Sequence, residues 1–153
     1  MTKFSVSHRF GFLANEVARL YSQQFDRLSR EKLGLSQAQC RLLAVLAAHD
    51  DTMSQAELAQ RMGLTPMAVA TMVDRMAAAG WIERRAHPVD RRINELHMLP
   101  PARKALDKAL AIGDGLSAAA LGKLTAAERV QLSALLGKVR DALLASGAKG
   151  AVS

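Results

Sequence analysis

A single cysteine, Cys40, among 153 residues excludes an intramolecular disulfide framework and a thiolate metal cluster, and suits a reducing compartment. Aromatic residues make up only 4% of the chain while half of it is apolar, a balance suited to helical packing by Leu, Ala, Val and Met rather than to an aromatic-rich β-sandwich. No apolar run approaches the ~20 residues that span a bilayer. The stretch from Met1 to Asn15 has no apolar core followed by a small-residue cleavage site, so the expected location is the cytoplasm. His8, His49, His87 and His97 are scattered, with no pair at ligand spacing on one helical face, and no metal or other cofactor is expected. Glycine-rich phosphate loops, nucleophile elbows and paired acid/base groups are also missing, which leaves catalysis without residues to run on.

What is present is positive charge. The formal net charge is +7, so the surface attracts polyanions, either nucleic acid or an anionic membrane. The length fits one domain with a real core.

Apolar residues Phe10, Leu13, Val17, Leu20, Tyr21 and Leu28 recur at three- and four-residue steps and predict an amphipathic helix to about Lys32, stopped by Gly34. Ser36-Gln37-Ala38-Gln39 fits a capping box opening a helix to about His49. Ser54-Gln55-Ala56-Glu57 repeats the box before a short helix that ends at Gly63. Thr65-Pro66 then starts another helix, a cap residue followed by proline at the first helical position, with Val69, Met72, Val73 and Met76 on one face. Two short helices around a glycine turn form a helix-turn-helix pattern.

Beyond Gly80 the period changes to alternation over 82–85 and again over 95–98, with His87 to Arg92 between, which predicts a β-hairpin with a charged tip. Pro100-Pro101 begins a further helix in which Gly113 and Gly115 predict a bend or break. Thr125-Ala126-Ala127-Glu128 caps a last helix carrying Leu132, Leu135, Leu136, Val139 and Leu143, and the tail from Ser146 is expected to fray. The predicted fold is mainly α with a small β-hairpin wing. The basic residues Arg75, Arg84, Arg85, Arg91, Arg92, Arg103 and Lys104 gather between the second helix of the pair and the helix after the hairpin, which favours nucleic acid over membrane.

Val73-Asp74-Arg75-Met76, Gly80-Trp81-Ile82-Glu83-Arg84 and Pro88-Val89-Asp90-Arg91-Arg92, in that order and spacing, resemble the signature of the MarR family of winged helix-turn-helix transcriptional regulators. The resemblance implies a single MarR-like domain over 1–153, with 8–33 and 101–146 as dimerisation helices and 36–99 as the DNA-binding lobe. It also implies that the second helix of the pair reads the major groove, and that Asp90 holds Arg92 for the minor groove. Candidate DNA contacts on that helix are Thr65, Met67, Ala68, Ala70, Thr71 and Arg75, joined at the hairpin by Arg85, Asp90, Arg91 and Arg92. With few side chains able to form paired hydrogen bonds to bases, specificity leans on thymine methyl contacts, phosphate positioning and DNA shape. Where the family continues with Leu-Thr-x-x-Gly, this chain has Met98-Leu99-Pro100-Pro101-Ala102, and proline can still start the helix.

The expected partners are double-stranded DNA, a second copy of the chain and a small aromatic or anionic effector. His8, Phe12, Tyr21 and Trp81 are read either as effector-pocket liners or as plain core. Cys40 is read as core packing, with oxidant sensing as the alternative. The expected function is a regulator, most often a repressor in such a family, that binds a pseudo-palindromic operator and is released by effector. A winged helix used for protein contact stays open as a second reading, and a small enzyme with a basic surface is the weakest.

Overall fold

The computed structural model describes residues 6–50 and 52–150. After a short 3-10 turn (Val6–His8), α1 (Phe10–Leu33) ends on Gly34, whose φ of 69° is open to glycine without strain and whose N–H donates back to the Arg30 carbonyl. Next comes α2 (Gln37–Ala47), opened by the reciprocal capping box that the sequence predicts. The Gln39 N–H donates to Ser36 Oγ, and the Ser36 N–H donates to Gln39 Oε1. The Gln37 N–H donates to Asp26 Oδ1 at 2.9 Å, so α1 closes another of the amides that a helix start leaves unpaired.

A three-residue strand, β1 (Thr52–Ser54), precedes α3 (Gln55–Met62), and Gly63 turns the chain into α4 (Pro66–Ala78), capped by Thr65 Oγ1. The wing follows as β2 (Ile82–Ala86) and β3 (Asn94–Met98). The predicted hairpin is therefore part of a three-stranded antiparallel sheet in the order β1-β3-β2, with Met53 opposite Leu96 and Arg84 opposite Leu96 from the other side. Three residues are too few to show an alternation, which is why β1 escapes a reading by period.

Next are α5 (Pro100–Ala120) and α6 (Ala126–Gly150). The expected break at Gly113 and Gly115 does not occur. Tyr21 Oη donates to the Gly113 carbonyl at 3.3 Å, and a Cβ on Gly113 would lie 3.7 Å from both Phe25 and Tyr21, an ordinary contact distance, so aromatic side chains of α1 pack directly against this turn of α5. The expected fraying from Ser146 is replaced by helix to Gly150. No helix among the described residues is long and apolar enough to cross a membrane.

The described residues divide into two compact units, one up to Leu116 and one from Ser117. In the first, Leu42, Leu43 and Leu46 of α2, Leu58 and Met62 of α3, and Val69, Val73 and Met76 of α4 join Ile82, Leu96, Ala102 and Leu106 in one buried core. In the second, Thr125 caps α6 in a reciprocal box with Glu128, and Arg129 Nε donates to the Leu121 carbonyl. Val130, Leu135, Leu136, Leu143 and Leu144 of α6 are exposed.

Candidate nucleic-acid interface

Burying Val69, Val73 and Met76 fixes which side of α4 faces out. Of the six predicted reading residues, Thr65, Met67, Ala68, Thr71 and Arg75 are exposed and Ala70 is half-buried. Both threonine hydroxyls serve their own helix: Thr65 Oγ1 accepts the Ala68 N–H, and Thr71 Oγ1 donates to the Met67 carbonyl. Met67, 80% exposed, projects an apolar thioether near the helix start. Arg75 is then the one long hydrogen-bond donor of the six, which makes apolar and shape-based contacts the larger part of what this face can offer.

At the wing tip the chain builds a tight polar turn. His87 Nδ1 accepts the N–H groups of Val89 and Asp90, and the Ile93 N–H donates to the Asp90 carbonyl. The Asp90 carboxylate receives Arg92 Nε and Nη2, each at 3.0 Å, and also the Arg92 backbone N–H at 3.1 Å. Those bonds hold the Asp90 carboxyl below the usual carboxylate range, the Arg92 side chain having the largest effect and its backbone N–H the next. The Arg92 side chain is 90% exposed, so the pair fixes its direction without covering it. Arg91 is exposed beside it.

Arg85 is differently placed. It shares a strand face with Glu83, pairs with that carboxylate and lies 3.4 Å from the His97 ring, so much of its charge is met within the sheet. Arg84, by contrast, carries a structural role that the candidate set omitted. Its Nη2 reaches Asp74 Oδ1 of α4 at 2.6 Å and its Nε donates to Gln55 Oε1 of α3 at 3.2 Å. One guanidinium thereby ties the wing strand to both helices of the helix-turn-helix. The planar fork of arginine suits such a double attachment, and the spacing in sequence gives no hint of it.

The four proposed effector liners do not share a described cavity. His8 and Phe12 are exposed, Tyr21 packs beside Gly113, and Trp81 rests half-buried against the core. A pocket of about 270 Å³ lies instead between α1 and α5, lined by Lys32, Leu33, Lys108, Ala111 and Ile112. Two ammonium groups over an apolar floor suit an amphipathic anion, a combination that becomes visible only when the two helices are packed together. Cys40 is buried, and burial pushes its thiol up, leaving little thiolate for oxidation. This supports core packing.

Comparison with known proteins bears on the same elements. The model described as MarR family matches residues 33–93, which run from the end of α1 through the wing tip. The HTH-type transcriptional repressor MdtR of Bacillus subtilis (strain 168) is 32% identical over 114 residues, covering 74% of this chain and 73% of that protein. The crystal structure of wild-type MarR from E. coli in its apo form has a TM-score of 0.77 at 23% identity, covering 86% of this chain and 96% of that one. A crystal structure of the S. aureus MepR–DNA complex has a TM-score of 0.73 at 21% identity, covering 91% and 99% of the two chains.

Proposed function

The chain belongs to the MarR family of transcriptional regulators, and from that membership we propose that it is a repressor binding a pseudo-palindromic operator as a homodimer. The observation that carries the reading is the tie between α4 and the wing. An exposed helix face and a wing bearing an outward, carboxylate-oriented Arg92 are joined through Arg84 and Asp74, so a groove-reading helix and a minor-groove arginine are presented by one connected lobe. MdtR, by its name, is a repressor, and MepR is seen with DNA, which supports carrying both properties to this chain.

The exposed apolar residues of α1 (Phe10, Phe12, Leu13, Val17, Leu20) and of α6 supply what a second copy would bury. A two-fold dimer sets its reading helices about one helical turn, ~34 Å, apart to meet successive major grooves. We assign the pocket between Lys32 and Lys108 to a small aromatic or anionic effector, which releases DNA by binding better to a dimer of different helix spacing.

The test is selection of duplexes from a random pool, followed by mobility shift at two salt concentrations with excess nonspecific competitor. Enrichment of an inverted repeat, bound with competitor resistance and weakened by salt, is the expected result. If no sequence is enriched while protein partners are still captured after Arg75→Ala and Arg92→Ala, the protein-contact reading replaces this one.

A further inference from the structure

Asp74 and Arg75 are successive residues of α4, so their side chains leave the helix about 100° apart. Asp74 points to the wing, where it holds Arg84. Arg75, about 100° further round, lines a pocket of about 230 Å³ with Arg30 of α1, Ser36 and Gln39 at the start of α2, and Ala68, Thr71 and Met72 of α4. The three- and four-residue spacing of 68, 71, 72 and 75 puts them on one face of the reading helix, next to but distinct from the side on which Asp74 holds the wing.

The donors in this pocket are not evenly committed. Ser36 and Gln39 spend their side chains on each other's backbone in the capping box, and Thr71 donates to its own helix. Arg30 presents only Nε to Asp26, at 2.7 Å, and its terminal guanidinium nitrogens have no partner among the described residues. Asp26 has its other oxygen on the Gln37 N–H, so its carboxylate orients Arg30 and is itself occupied. Arg75 has no ion pair among the described residues, whereas Arg84, Arg85 and Arg92 each have an acid beside them. Two guanidinium groups with free N–H edges therefore converge on a polar recess at the border of the reading face.

We propose that Arg30 and Arg75 form a seat for one DNA backbone phosphate at the border of the reading face of α4, away from the Asp74 tie to the wing. The inference rests on the DNA-binding reading and adds a residue of α1, outside the helix-turn-helix, to the interface. With the wing tied at Asp74 and this seat at Arg75, α4 is held to the duplex at two separate points. The backbone contact fixes register while the exposed face of α4 reads shape and methyl groups.

The experiment measures binding of the intact chain to a duplex that the wild-type protein enriches from a random pool, across a salt series. Loss of one phosphate contact lowers the slope of log affinity against log salt by about one for each bound chain. Arg30→Ala is expected to lose that slope and roughly tenfold in affinity, equally for the enriched and for an unrelated duplex. Arg30→Lys is expected to keep the slope. Asp26→Asn removes the ion pair but leaves the Arg30 charge, and is expected to keep the slope as well. An unchanged slope in Arg30→Ala, or an equal fall in Asp26→Asn, overturns the phosphate seat while leaving the DNA-binding reading intact. Failure of the wild-type protein to enrich any duplex removes both.

Discussion

The winged lobe and the terminal helices use the same apolar spacing and reach opposite ends. All the largest fully buried side chains except Ser29 lie between Leu35 and Leu96, within or at the edge of the lobe. Along α1, Phe10, Phe12, Leu13, Val17 and Leu20 are exposed, and α6 by itself leaves Leu135, Leu136, Leu143 and Leu144 in solvent. A period of three and four residues announces a helix face that wants cover, and it does not say whether cover comes from the same chain. The lobe supplies its own. The terminal helices leave large apolar residues exposed, as surfaces that meet a partner do.

The sharpest way to separate the two is to remove one leucine from the lobe. Leu42→Ala deletes a side chain with no exposure and is expected to cost about 2–5 kcal/mol, read from the midpoint of urea unfolding. Because the lobe covers its own core, that loss is the same at every protein concentration. A loss that disappears on concentrating the protein would mean that the lobe, too, depends on a partner.

Next in size is a charge placed among the exposed apolar residues of α1. Val17→Asp leaves the lobe core untouched and is expected to weaken self-association by at least about thirtyfold, the scale of a residue central to an interface. Analytical ultracentrifugation checks it, since the wild-type chain should sediment as a dimer where the variant is a monomer. Equal sedimentation of the two would show that these residues are not where a second copy binds.

The same division governs what the sequence made legible. Caps are local, so Ser36, Ser54, Thr65 and Thr125 with their partners three residues on, and Gly34 and Gly63 at helix ends, could be read directly and stand where expected. Features made by distant segments could not. The strand β1 exists because Met53 finds Leu96, and α5 runs unbroken through Gly113, where Tyr21 and Phe25 of α1 pack against it. At the candidate site the Asp90–Arg92 pair, two residues apart, followed from the family signature. The Arg84 tie to Asp74 and Gln55 spans three elements and left no trace in spacing.

A smaller effect sharpens the wing side of the comparison. Arg92→Ala removes an exposed side chain that no core contact needs, so unfolding midpoints should not move, while operator affinity should fall by about tenfold in a mobility shift. Asp90→Asn keeps the Arg92 charge but weakens its hold, and is expected to lose less affinity than Arg92→Ala. The reverse order would mean that Asp90 matters for the turn itself rather than for aiming the arginine.

The smallest expected effect lies where the two regions meet, at Asp26 of α1 and the start of α2. The Gln37 N–H, first, and the Arg30 side chain hold the Asp26 carboxyl below its usual range. Because the folded value is lower than the unfolded one, near 3.9, the contribution is complete above the unfolded value and is lost as pH falls through the folded one. The side chain is 37% exposed, so solvent screening keeps the contribution modest. The difference in urea midpoint between wild type and Asp26→Asn should therefore be constant at neutral pH and shrink in acid below about pH 4. A difference that instead grew in acid would show that the carboxylate strains the junction between α1 and the lobe. In that case the lobe core alone would hold α2 in place.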